Sequence, residues 1–187
     1  MNTDSEVYRD LESILISEEQ LQQRIQELGQ QIGRDYKGKL PMVVGLLKGS
    51  SLFLADLVKA IPIHLTLDFM GISSYGGGTQ SSGVVKITKD LEETIEGRHV
   101  IIAEDIIDTG LTLNYLLKSL RTRNPASLKI CTLLNKQARR ILEVEDVAYK
   151  GFEIDDHFVV GYGLDYMQKF RNLPCIGILK PSVYQKF

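Results

Sequence analysis

Between Val100 and Thr112 the chain reads Val-Ile-Ile-Ala-Glu-Asp-Ile-Ile-Asp-Thr-Gly-Leu-Thr, so three acids, two threonines and a glycine follow directly on an apolar run. Thr109, Gly110 and Thr112 fall where a helix is expected to begin. Backbone N–H groups without intrahelical acceptors, two hydroxyls and the positive end of a helix can converge there on a phosphate. Gly110 would let the backbone come close to it. Glu104, Asp105 and Asp108 would repel such an anion unless a cation, or a set of hydrogen-bond donors, absorbed their charge. A phosphorylated sugar bound with Mg²⁺ meets both needs, its hydroxyls supplying the donors. Asp108 or Thr109 could instead be a plain helix cap with Glu104 and Asp105 as solvated turn acids. That reading suits any one residue better than it suits the whole set, wedged between a buried strand and a helix.

Other chemistries are poorly served. Gly45-Leu46-Leu47-Lys48-Gly49-Ser50 has its lysine before the glycine, not the Gly-Lys-Ser/Thr order of a P-loop, which argues against a P-loop NTPase. His64, His99 and His157 lack metal-ligand spacing, and Cys131 and Cys175 stand far apart outside any Cys-x-x-Cys pattern. Buried, reduced thiols and a hard, oxygen-bound metal are the expectation. With 22 Lys and Arg against 24 Asp and Glu, the formal charge is -2, which disfavours general nucleic-acid binding. No apolar run reaches the roughly 18–20 residues of a membrane span. The start, Met1 to Glu6, is polar and unlike a signal peptide, so a cytoplasmic protein is expected, with no nucleic acid and no membrane as partner.

The elements that must position these groups are those of one α/β domain over residues 1–187, a length and a 43% apolar content suited to one sizeable core. Ser17, with Gln20 three residues on, opens a helix carrying Leu21, Ile25, Leu28 and Ile32 at helical spacing. Residues 42–47 are nearly all apolar, as in a strand covered on both faces, and Gly49-Ser50-Ser51 leads into a helix through Ala60. Residues 62–70 alternate, which puts Leu65, Leu67 and Phe69 on one face and His64, Thr66 and Asp68 on the other. Residues 71–83 hold five glycines and four serines around Tyr75, longer than a usual connection and suited to a functional lid. A strand at 84–89 and a buried one from His99 to Ala103 follow, the latter running into Glu104-Asp105. A helix from near Gly110 ends before Asn124-Pro125, and strands are expected at Leu128 to Leu134 and around 147–152, 158–162 and 176–179. Strands alternating with helices imply a parallel sheet, with ligands beyond the carboxyl ends of its strands.

The run Glu104-Asp105-Ile106-Ile107-Asp108-Thr109-Gly110-Leu111-Thr112 resembles the phosphoribosyl-diphosphate motif of type I phosphoribosyltransferases. Leu47-Lys48-Gly49, Ser73-Ser74-Tyr75, Asn135-Lys136 and Phe158 to Tyr166, followed by Phe170-Arg171-Asn172-Leu173-Pro174, extend the resemblance over nearly the whole chain. Together they are similar to the hypoxanthine/guanine phosphoribosyltransferases, the bacterial form in particular. The resemblance implies a mostly parallel sheet flanked by helices, a small hood from the N- and C-terminal segments, and a flexible lid at about 71–83. It implies Mg²⁺-dependent joining of a 6-oxopurine to 5-phosphoribosyl 1-diphosphate in purine salvage, and a homotetramer or homodimer.

Residue by residue, the resemblance implies that Glu104 and Asp105 hold the ribose hydroxyls directly or through Mg²⁺, while Asp108, Thr109, Gly110, Leu111 and Thr112 cradle the 5-phosphate. Asp108 is the implied catalytic proton acceptor facing N7 of the base. Lys48, Gly49 and Arg171 are assigned to pyrophosphate, with the Leu47–Lys48 peptide often cis in this family. Lys136 is implied to donate to O6, Phe158 to stack on the purine, and the Val159 backbone to read the ring edge. Asp165 falls beside this base-binding group and is implied as a ligand, through water, of a second Mg²⁺ near pyrophosphate. Ser74 and Tyr75 belong to the lid. Each has a plainer reading: Lys48 as a strand-end lysine, Arg171 as a surface ion-pair partner, Phe158 as ordinary core, Asp165 as a turn acid. Ala103 stands where a larger aliphatic residue is common, and Ser51 follows Gly49-Ser50, without loss of a functional group. Two rival functions keep the same fold: a non-catalytic regulator sensing phosphoribosyl diphosphate or nucleotides, and an enzyme preferring xanthine or another base.

Overall fold

The computed structural model describes residues 6–74 and 85–185. Its order is α1 (Glu6–Arg9), β1 (Leu11–Ile16), α2 (Glu18–Asp35), β2 (Met42–Leu47), α3 (Ser51–Ala60), β3 (Thr66–Ser74), β4 (Val85–Lys89) and β5 (His99–Ile107). Then come α4 (Leu111–Arg121), β6 (Ser127–Asn135), a 3₁₀ turn (Gln137–Arg139), β7 (Val147–Glu153), β8 (Val159–Val160), β9 (Ile176–Leu179) and α5 (Pro181–Tyr184). The main sheet has the order β4-β3-β2-β5-β6-β7. All its pairings are parallel except β3 with β4. A second, antiparallel sheet, β1-β9-β8, joins the two ends of the chain.

The apolar runs explain the layering. Along β5, Ile101 and Ala103 pack with α2 and α3 while Val100 and Ile102 pack with α4, so a strand without polar alternation is covered on both faces. Ser17 closes the capping box anticipated for α2: its Oγ accepts from the Gln20 N–H at 3.3 Å, and Gln20 Oε1 accepts from the Ser17 N–H at 2.8 Å. Leu21, Ile25, Leu28 and Ile32 on that helix are fully buried, each worth about 1.5–3 kcal/mol of transfer free energy. Cys131 and Cys175 are buried free thiols, and burial drives the Cys131 thiol strongly up. Among the described residues no helix is long and apolar enough to cross a membrane.

Three expectations need correction. The strand placed at 62–70 begins at Thr66 and runs to Ser74, four residues into the stretch assigned to the lid. Its face is also inverted in part, because Leu67 is exposed while Asp68 is buried. Asp68 can be buried because its carboxylate accepts from the N–H groups of Phe69 and Glu92 at 2.7 and 2.8 Å, with Lys89 Nζ 3.6 Å away. Lastly, β1 was not anticipated. Its register shifts at both ends against β9, so no clean two-residue alternation marks it. Residues 75–84, Tyr75 among them, and the Ser74 side chain lie outside the described residues, and with them most of the lid assignment.

Candidate active site

The acidic segment ends β5 and turns into α4 at the carboxyl edge of the parallel strands. Gly110 is the helix N-cap, with φ 82°, and contributes no side-chain cap. A Cβ there would lie 2.1 Å from the Leu142 carbonyl oxygen, so the position requires glycine on both counts. Neither Asp108 nor Thr109 is therefore the capping residue, although Thr109 Oγ1 accepts from the Leu111 N–H at 3.4 Å. Glu104, Asp108, Thr109, Gly110 and Thr112, with Ile106, Ile107 and Leu113, line a cleft of about 170 Å³. Into this region projects Asp108, whose Oδ1 is shielded from water yet finds no hydrogen-bond donor among the described residues. An acceptor in that condition calls for a donor from outside the chain.

Segment 135–142 holds this turn from behind. The Lys136 N–H donates to Ile107 O at 2.9 Å, and the N–H groups of Ile141 and Leu142 donate to Thr109 O at 3.0 and 3.1 Å. Arg140, nearly all of its side chain buried, donates to Asp108 O at 3.0 Å, to Ile107 O at 3.4 Å and to Asn135 Oδ1 at 2.5 Å. This residue was not anticipated. Gln-Ala-Arg-Arg offers no local sign that the second arginine is buried and the first exposed. Arg140→Ala should lower the unfolding free energy by roughly 1–3 kcal/mol per carbonyl left without its donor, read by denaturant unfolding; unchanged stability would show that neighbours or water replace the guanidinium.

On the other side of β5 the chain brings together residues distant in sequence. A Cβ on Gly49 would fall 1.7 Å from Asp105 Oδ2, so the Asp105 carboxylate lies directly against the glycine of the β2–α3 turn. The Leu47–Lys48 peptide in that turn is cis. Lys48 Nζ reaches Gln168 Oε1 at 3.5 Å. Arg171 donates to Gly163 O at 2.6 Å and pairs with Asp165 Oδ1 at 2.7 Å, while Asp165 Oδ2 accepts from the Gln168 N–H at 2.8 Å. Lys48 and Arg171 thus meet around Gln168, and Asp165 is engaged at both oxygens.

Burial pushes the Asp105 carboxyl up to about 6, against its hydrogen bond from the Ile106 N–H and the nearby Arg171 charge. Glu104 is raised as well, by burial and then by Asp105. Glu104 opens on the 104–113 cleft and Asp105 on the Gly49 turn; each is a desolvated hard-oxygen donor that a divalent cation would stabilise in its charged form, and in this the residues fit Mg²⁺. Among the described residues no cluster of three or more His, Cys, Asp or Glu gathers as a ready metal cage. Such an ion would complete its shell with oxygens from water and ligand.

The third group flanks the turn at β6 and β8. Lys136 is buried, and its Nζ donates to His157 O at 2.7 Å with Asp156 Oδ1 at 3.4 Å. Arg139 Nε stands 3.9 Å from both Asp108 Oδ1 and Asp156 Oδ1, linking this group to the β5–α4 turn. Val159 is buried in β8, whereas Phe158 is 37% exposed, which removes its reading as ordinary core.

The mostly parallel sheet, with its acidic strand end running into α4, places the chain in the type I phosphoribosyltransferase fold. Residues 14–167 match the family model described as phosphoribosyl transferase domain, and the chain belongs to that family. It is 51% identical to the hypoxanthine-guanine phosphoribosyltransferase of Bacillus subtilis (strain 168), over 94% of this chain and 97% of that protein. A crystal structure of a hypoxanthine phosphoribosyltransferase from Staphylococcus aureus superposes with a TM-score of 0.93 at 50% identity, covering 98% of this chain and 99% of that one. The bifunctional protein TilS/HprT of Listeria monocytogenes serotype 4b (strain F2365) is 51% identical over 96% of this chain, which spans only 28% of that longer protein.

Proposed function

We propose that this chain transfers the 5-phosphoribosyl group of 5-phosphoribosyl 1-diphosphate to a 6-oxopurine, hypoxanthine or guanine, in purine salvage. The products are the nucleoside monophosphate and pyrophosphate. The observation that carries this reading is the meeting of three groups at one sheet edge: the 104–113 cleft, the Lys48-Gly49 turn against Asp105, and the Lys136 and Phe158 pair.

In this reading the N–H groups and hydroxyls of Thr109, Gly110, Leu111 and Thr112 take the 5-phosphate at the start of α4. Glu104 and Asp105 face the ribose hydroxyls. Glu104 and Asp105 would hold Mg²⁺, and Asp165 would hold a second ion through water near pyrophosphate; when bound, the metal would orient the ribose hydroxyls and offset the charge of pyrophosphate. Lys48, the Gly49 backbone and Arg171 bind pyrophosphate and stabilise it as the C1–O bond breaks ahead of C1–N bond formation. The Asp108 carboxylate accepts the proton released on the N7 side of the base. Phe158 stacks on the purine while the Val159 backbone meets its edge. We place the activity in the cytoplasm and the chain in a homodimer or homotetramer, for which sedimentation gives the number.

Lys136 confers the base preference. Its ammonium is donor-only and already fixed on His157 O, so it favours an O6 acceptor and disfavours a 6-amino group. Lys136→Gln should lower kcat/KM for hypoxanthine by about tenfold to a hundredfold and narrow the preference over adenine; an unchanged hypoxanthine-to-adenine ratio would remove Lys136 from base recognition. The reading as a whole is tested by product formation from phosphoribosyl diphosphate with hypoxanthine, guanine, xanthine or adenine supplied singly, with and without Mg²⁺. Magnesium-dependent turnover of hypoxanthine or guanine but not adenine is expected. Binding of phosphoribosyl diphosphate without turnover of any base would make the chain a regulator, and turnover of xanthine above the others would reassign the base.

A further inference from the structure

Phe158 is the exposed aromatic of the proposed base pocket, and its ring is not free. Tyr184 of α5 stacks on it with centroids 4.7 Å apart and 18° between planes, and Tyr166 meets it at 5.6 Å and 87°. The backbone ties the same two places together: the Leu179 N–H donates to Phe158 O at 2.9 Å, and α5 begins two residues later at Pro181. Tyr184 is itself held by the small sheet. The Lys180 N–H donates to Asp10 O at 3.0 Å, and Lys180 Nζ donates to Arg9 O at 2.5 Å. Val183 and Tyr184 pack on a cluster that includes Leu11, Val160 and Phe170.

An isolated exposed phenylalanine samples several rotamers, and a ligand that stacks on it must first restrict them. A ring already stacked on a fixed neighbour presents a set plane. We infer that Tyr184 is a positioning residue for the purine, fixing the ring plane of Phe158 from the C-terminal helix so that its remaining face receives the base. The inference rests on the stacking role proposed for Phe158. It gives α5, remote from the phosphate cleft in sequence, a part in purine affinity and none in phosphoribosyl diphosphate affinity.

The test measures kcat and both Michaelis constants for Tyr184→Ala, Tyr184→Leu, Tyr184→Phe and Phe158→Ala in the full chain, with heat unfolding as a check on folding. Tyr184→Ala should raise KM for hypoxanthine about threefold to tenfold, the range of a lost aromatic stack, with KM for phosphoribosyl diphosphate within about twofold. Tyr184→Leu keeps apolar bulk but no aromatic face, so it should behave like the alanine variant and serves if that variant fails to fold. Tyr184→Phe keeps the ring and should restore the parent KM. Equal rises in both Michaelis constants would make Tyr184 merely structural, and a fall in KM for hypoxanthine would mean that it occupies the base's own place; either result overturns the inference. If Phe158→Ala raises KM for hypoxanthine and neither Tyr184→Ala nor Tyr184→Leu does, Tyr184 has no such role. If Phe158→Ala has no effect, the stacking role of Phe158 fails, and the inference with it.

Discussion

Replacing Asp108 with alanine should reduce turnover by roughly a hundredfold to ten-thousandfold, the usual contribution of a positioned acid or base, while the chain stays folded and KM for phosphoribosyl diphosphate changes little. The expectation of intact folding comes from the surroundings of the side chain. Its Oδ1 accepts no hydrogen bond among the described residues, and its one cationic neighbour, Arg139 at 3.9 Å, is half exposed and keeps Asp156 at the same distance, so truncation leaves no buried donor unpaired there. The backbone of the turn is held independently, by Arg140 on Asp108 O and by Ile141 and Leu142 on Thr109 O. Steady-state rates with hypoxanthine, together with heat unfolding, check this. Turnover within about threefold of the parent would take Asp108 out of the mechanism.

Gly49→Ala should be as damaging by a different route. The added methyl would stand 1.7 Å from Asp105 Oδ2 and 2.7 Å from its Cγ, well inside contact distance. Either the carboxylate or the β2–α3 turn must move by more than 1 Å, and displacements of that size in a reacting geometry cost about a hundredfold in rate. With Asp105 proposed for the sugar and Gly49 for pyrophosphate, the loss should fall on kcat/KM for phosphoribosyl diphosphate, with pyrophosphate inhibition weakened in parallel. Purine affinity, proposed to rest on Lys136 and Phe158 at the ends of other strands, should change far less. Parent-like kinetics would mean that Asp105 swings aside without consequence, and the contact would then have no part in the reaction.

The Glu104–Thr112 half of the candidate site is legible in the amino-acid order because it is local. Glu104 to Thr112 form one continuous strand end and helix start, and the residue types alone indicate an anion held at a helix terminus beside carboxylates. The buried strands at 42–47 and 99–103 are equally readable, since runs without polar alternation require cover on both faces. The capping box at Ser17 and Gln20 is a pattern three residues long, and it forms as written. Where alternation is the only signal it misleads in β3: Asp68 goes inward because backbone N–H groups and Lys89 from neighbouring segments satisfy it, and no periodicity contains those partners.

What the sequence by itself determined was thus the α/β layering and the acidic strand end that runs into a glycine-capped helix, both consequences of short-range pattern. Only the tertiary structure decided that Asp105 abuts Gly49, that Arg140 and not Arg139 is the buried clasp on the turn, that Lys48 and Arg171 converge on Gln168, and that Tyr184 lies on Phe158. These contacts join segments far apart along the chain. They follow from closing the parallel sheet between α2, α3 and α4 and from pairing the two chain ends in a second sheet, so that burial of the whole core, more than any local preference, sets where each functional side chain points.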